Sequence, residues 1–148
     1  SIEITYDVEG SDHVEIAAGV ETATITGLTN DVEVTFTVKS VDLLGNKSAG
    51  VTVASTPTAP EEVTGLLATP GDTEVVLTWT DPGYAELDHI LVDCDVEGFT
   101  PVSIATGVET ATITGLTNGV EVNFTVKTVN TLGDESTGVV VASTPTAP

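Results

Sequence analysis

The chain has 148 residues, 40% of them hydrophobic and only 4% aromatic, and carries three Lys and no Arg against 23 acidic residues, a formal net charge of −20. That much negative charge repels polyanions at moderate salt, so nucleic acid and anionic membrane surfaces are excluded as expected partners. A single cysteine, Cys94, allows no intrachain disulfide, and no apolar run is long enough to span a bilayer as a helix.

From its first residue the chain is one copy of a passage that returns later. G-V-E-T-A-T-I-T-G-L-T-N at Gly19–Asn30 recurs at Gly107–Asn118, an offset of 88 residues that holds without a gap from Ser1/His89 to Pro60/Pro148, with about 41 of 60 positions matching. Residues 1–60 therefore read as a partial unit and residues 61–148 as a complete one, because the first copy has no counterpart of Glu61–Asp88. Three readings of the short copy stand side by side: an excised fragment of a longer array, a sandwich completed by strands from another chain, or a disordered N-terminal part. Under the second reading, remaining strands that expose core face and unpaired edge must be completed from outside this stretch of chain.

In the complete unit, Val, Ile, Thr and Gly outnumber good helix formers and apolar residues alternate, so the chain reads as all-β. Strands are expected near Val63–Ala68 and Glu74–Trp79, with T-P-G-D at Thr69–Asp72 turning between them. After the D-P-G turn at Asp81–Gly83, a third strand is expected at His89–Val96. It turns Ile90, Val92, Cys94 and Val96 inward and His89, Leu91, Asp93 and Asp95 outward. Further strands follow near Val102–Ala105, Thr110–Thr114, Glu121–Val129 and Val139–Ala142. The A-S-T-P-T-A-P stretches at Ala54–Pro60 and Ala142–Pro148 read as short semi-rigid linkers.

Trp79 on the second strand, L-T-N-G-V-E-V-N-F-T-V-K-T-V-N at Leu116–Asn130 and L-G-D-E-S at Leu132–Ser136 follow one another as in fibronectin type III domains. The complete unit resembles that family, of a microbial extracellular kind, and the partial unit resembles it through the repeat. The resemblance implies a seven-stranded immunoglobulin-like β-sandwich, present once complete and once without its first two strands. It also implies core places for Trp79, Leu116, Phe124 and Val126, and for Leu28, Phe36 and Val38 in the first copy. Val122 and Val34 stand where the family usually has the tyrosine of its corner motif.

Candidate chemistry is sparse. Asp93, Asp95, Glu97 and Gly98 imitate the first half of an EF-hand calcium loop, but the twelfth position is Ile104 rather than a bidentate carboxylate. Next-but-one side chains on a strand lie roughly 7 Å apart, so an acidic solvent face is expected, with calcium as the alternative. No other cofactor is expected. Cys94 reads as a buried structural thiol, and no nucleophile elbow, phosphate loop or zinc cluster occurs, so no catalytic residue is expected. Asn46 and Asn123 head N-x-[ST] triplets and are candidate glycosylation sites.

The function expected from the repeat and the resemblance is that of a non-catalytic extracellular module: a spacer, a stalk, or the repeating subunit of a surface filament. Its partners would be other copies of itself or adjacent repeats, joined by β-strand complementation. The alternatives are an accessory module of a secreted polysaccharide-degrading enzyme, or an adhesin taking a glycan or protein ligand through the loops at Asp81–Asp88 and Asn130–Ser136.

Overall fold

The computed structural model describes all of Ser1–Pro148 and contains strands and turns with no helix. In chain order the strands are β1 (Ile2–Tyr6), β2 (Val14–Ile16), β3 (Val34–Ser40), β4 (Val51–Ser55), β5 (Thr64–Gly71), β6 (Glu74–Thr80), β7 (Leu87–Cys94), β8 (Val102–Ala105), β9 (Thr110–Thr114), β10 (Val122–Asn130) and β11 (Val139–Ser143). They fall into two units, Ser1–Thr58 and Ala59–Pro148.

The second unit is a two-layer sandwich, with β5-β6-β9 as one sheet and β11-β10-β7-β8 as the other. Period-two alternation aims one face of each central strand at the other sheet. On β6 the inward residues are Val75, Leu77 and Trp79, and on β10 they are Val122, Phe124 and Val126, all at most 4% exposed. Ile90 and Val92 of β7 and Ile113 of β9 close the same core. Each fully buried aliphatic side chain of this kind contributes about 1.5–3 kcal/mol relative to exposure. Val122, at the tyrosine-corner position, is 3% exposed and simply fills volume.

The hairpin β5–β6 turns at Asp72-Thr73, not at Thr69–Asp72, because β5 runs on through Pro70 and Gly71, which pair with Val75 and Glu74. Pro70 is tolerated there because β5 is an edge strand, where a missing N–H costs no ladder bond. β7 stops at Cys94, so Val96 lies beyond the strand and is 38% exposed rather than inward. The stretch read as a terminal linker docks on its own sandwich: Pro145 is fully buried, its carbonyl accepts from Gly119 N (2.8 Å), and Thr146 N donates to Gly71 O (3.0 Å).

The first unit holds one sheet, in the order β2-β1-β3-β4. Its register repeats that of the second unit: Ile4 faces Val38 and Tyr6 faces Phe36, as Val92 faces Val126 and Cys94 faces Phe124. No second sheet covers it. Thr22–Thr26, identical in sequence to the β9 strand Thr110–Thr114, forms no strand.

Candidate functional site

The uncovered face of the first sheet carries an open cleft. Ile2, Ile4, Phe36, Val38 and Val53 form its floor and the segment Ala18–Leu28 its wall, enclosing an open apolar cleft of about 720 Å³. Leu28 and Phe36, expected in a core, are only half-buried, and Val38 is 37% exposed, whereas Leu116, Phe124 and Val126 at the equivalent places are 7%, 0% and 0% exposed. The difference has one cause: the cleft lies where the second unit holds the hairpin β5–β6.

The way β5–β6 is held in the second unit defines what the cleft lacks. The Glu62 carboxylate, just ahead of β5, accepts from Ser136 Oγ and from Gly138 N, both at 2.7 Å, and Thr128 Oγ1 donates to Glu61 O at 2.7 Å. Gly138 sits at φ 100°, and a Cβ there would lie 2.7 Å from Thr125 Cγ2, so only glycine presents this amide. At the hairpin turn, Thr73 N donates to Asn118 Oδ1 (2.8 Å) and Asn118 Nδ2 to Asp72 Oδ1 (2.7 Å). At the far end, Asp81 accepts from Trp79 Nε1 and from Gly107 N, each at 2.8 Å, while Asp81 N donates to Glu109 Oε1 at 2.9 Å.

Five of the residues that receive the hairpin recur in the first unit, 88 residues earlier: Gly19, Glu21, Asn30, Ser48 and Gly50 match Gly107, Glu109, Asn118, Ser136 and Gly138, while Ser40 stands at the place of Thr128. Part of the constellation is already set. Ser40 N donates to Ser48 Oγ at 3.0 Å, as Thr128 N does to Ser136 Oγ at 3.0 Å, which leaves the hydroxyl proton of Ser48 to donate outward. Gly50 takes φ 94° with the same crowding against Thr37.

The acidic candidates are used within the fold. Asp93 Oδ1 accepts from Cys94 N at 2.8 Å, and Asp95 accepts from Asn123 N (3.0 Å) and Asn123 Nδ2 (2.8 Å). These bonds from Asn123 hold the Asp95 carboxyl below the usual carboxylate range. Glu97 is exposed, and no group of three His, Cys, Asp or Glu side chains comes together as metal ligands. Asn123 thus spends its side-chain amide on Asp95, while Asn46, exposed in its turn, donates to Asp42 Oδ2 at 2.9 Å. Cys94 is partly buried against the core; burial pushes its thiol up, and Asp93 and Asp95 add to that, so it stays a protonated thiol near neutral pH.

Of the two loops, Asn130–Ser136 is ordered by Asn130, whose Oδ1 accepts from Leu132 N (3.0 Å) and Asp134 N (2.9 Å), leaving Leu132 63% exposed at the tip. The Asp81–Asp88 loop buries the hydroxyl of Tyr84 without a hydrogen-bond partner.

The two-sheet topology, strand order and register of the second unit define the class: a fibronectin type III fold. No protein-family model matches it. It is similar to two fibronectin type III domains of chicken tenascin, at TM-score 0.53 and 19% identity over 97% of this chain and 83% of that one. It is also similar to the FN1-FN3 domains of chicken CNTN1, at TM-score 0.55 and 10% identity over 99% of this chain and 55% of that one. In sequence it is 34% identical over 155 aligned positions to chitinase A1 of Niallia circulans, matching across 96% of this chain and 21% of that enzyme. The chain thus spans about a fifth of the length of this relative. Sequence reasoning found the repeat; it placed Leu28, Phe36 and Val38 in a core where they are half-buried or exposed, and it missed the Glu62 latch, whose only signal was a Glu ahead of the first strand with a Ser and a Gly two apart near the last.

Proposed function

We propose that the chain is a non-catalytic accessory module of a secreted polysaccharide-degrading enzyme, holding other domains of that enzyme apart. The observation that carries this reading is the 34% identity to chitinase A1 across 96% of the chain, combined with a match to only 21% of that enzyme. The sandwich of the second unit suits the task physically: its core is closely packed with apolar side chains, its strands are short and paired, and the chain's net charge of −20 favours solubility. An enzyme that works on large insoluble polysaccharide acts outside the cell, so the reading carries an extracellular location with it.

The test replaces the chain, in the enzyme that carries it, by a flexible linker of similar span. Hydrolysis of soluble oligosaccharide is expected to stay unchanged while hydrolysis of insoluble polysaccharide slows several-fold. Unchanged rates on both substrates count against the spacer role. Saturable binding of the isolated chain to the polysaccharide replaces it with a ligand-binding role through the loops.

A further inference from the structure

We propose that Asn118–Gly119 is a site of spontaneous deamidation, and that the docked stretch Pro145–Thr146 is the gate that holds it off. It is the one place in the chain where Asn precedes Gly. Gly119 sits exposed in its turn at φ 80°, and a Cβ built on it would meet no atom within 4 Å beyond its chain neighbours. Its nitrogen is therefore the least hindered in the chain among those that follow a carboxamide. In the reaction this nitrogen, having lost its proton to hydroxide, attacks Asn118 Cγ. The N–Cγ bond forms, the Cγ–Nδ2 bond breaks, and ammonia leaves with a proton returned by water. A second water opens the cyclic imide at either carbonyl: attack at Cγ yields aspartate, and attack at the backbone carbon yields isoaspartate, whose main chain runs through the former side chain.

Both reacting groups are tied down in the folded chain. Gly119 N donates to Pro145 O at 2.8 Å, so a carbonyl covers the proton that has to leave; Pro145 is itself fully buried, and Thr146 N donates to Gly71 O at 3.0 Å. The carboxamide is clamped on its other side, Oδ1 accepting from Thr73 N (2.8 Å) and Nδ2 donating to Asp72 Oδ1 (2.7 Å), so attack at Cγ and departure of Nδ2 both work against hydrogen bonds. The first unit keeps the gate and not the site. Asp31 N donates to Pro57 O at 2.8 Å, but Asp31 replaces the glycine, and its carboxylate makes the amide proton harder to remove. Reaction at Asn118 removes the donor that faces Asp72 and sets a second carboxylate against it, in a chain already at −20. Undocking of Pro145–Thr146 is thus recorded irreversibly, as a weakened anchor for the β5–β6 turn.

The experiment incubates the full 148-residue chain at mildly alkaline pH and follows aspartate and isoaspartate at Asn118 by peptide mapping and mass spectrometry. Two variants open the gate without touching the site: Thr146→Pro removes the donor to Gly71, and Pro145→Asp puts a charge at a fully buried position. Trp79 fluorescence reports whether the sandwich stays folded, and if Pro145→Asp unfolds it, Thr146→Pro decides alone. Conversion is expected to be slow in the unsubstituted chain, about fivefold faster in Thr146→Pro, where one backbone hydrogen bond is lost, and fastest in urea. Folded Pro145→Asp is expected to convert faster than Thr146→Pro, with Asn30 lagging behind Asn118 throughout. Asn118→Asp is expected to lower the urea midpoint of the second unit and to speed amide exchange at Thr73. Equal rates with the stretch docked and undocked overturn the gate. Conversion of Asn30 or Asn46 ahead of Asn118, or no conversion at Asn118 even in urea, overturns the site.

Discussion

Thr22–Thr26 and Thr110–Thr114 are the same five residues inside the same twelve-residue passage, and they end in different structures. Thr110–Thr114 is a strand, paired from Glu74↔Thr114 to Thr78↔Thr110 with β6, and it buries Ala111 and Ile113 at 7% and 4% exposure. Thr22–Thr26 is irregular, and Ile25 is half-buried at the rim of an open cleft. Even the backbone differs: Glu109 sits at φ 56° with its carboxylate tied to Asp81 N, whereas Glu21, with no Asp81 counterpart to hold, is not among the residues of positive φ. A strand has no hydrogen bonds of its own, so local preference cannot make one without a partner edge.

That comparison can be broken from either side. The largest effect is expected from placing a copy of Glu61–Asp88 directly ahead of Ser1. The first unit then gains a second sheet, Thr22–Thr26 amides become as protected as Thr110–Thr114, and unfolding of that unit rises by several kcal/mol, read from urea midpoints.

Removing the partner from the second unit is next. Trp79→Ala is expected to destabilise that unit by about 3–5 kcal/mol and to drop amide protection of Thr110–Thr114 toward that of Thr22–Thr26, as measured by hydrogen exchange. The pair Phe124→Ala and Phe36→Ala sharpens the contrast. The first, at 0% exposure, is expected to cost about 3–5 kcal/mol, and the second, on the open face, clearly less than half of that by denaturant titration of each unit.

The smallest effect is electrostatic. Asn123 lowers the Asp95 pKa below its unfolded value, so the stabilisation is complete above the ordinary carboxylate range and is lost as pH falls through the lowered folded value. Asp95→Asn is expected to lower the melting temperature slightly at neutral pH and to converge with the unsubstituted chain in acid, flattening the decline on acidification, checked by calorimetry across the acid limb. Asp95 is exposed, so added salt shrinks the difference further.

Much of the fold was legible because it is written locally. The alternation in E-V-V-L-T-W-T and V-N-F-T-V-K-T-V-N marked the strands, the family resemblance implied core places for Trp79, Phe124 and Val126, and seven expected strands have counterparts β5 to β11. Where the reading slipped, the reason is a competing contact. Pro70 extends a strand because β5 lies at an edge, and the terminal stretch docks because Gly119 N donates to Pro145 O and Gly71 O accepts from Thr146 N. The D-x-D-x-E-G spacing had no way to show that Asp95 is engaged by Asn123, 28 positions away. The Glu62 latch was equally hidden, since Ser136 and Gly138 lie 74 and 76 positions from it.

The sequence by itself determined the period of the repeat, the all-β class and the approximate places of the seven strands of the complete unit, since turn residues and period-two alternation are written locally. Only the tertiary structure decided whether G-V-E-T-A-T-I-T-G-L-T-N becomes a buried strand or the wall of an apolar cleft. The physical reason is that a strand's backbone bonds, and the apolar surface it covers, both belong to its neighbour as much as to itself.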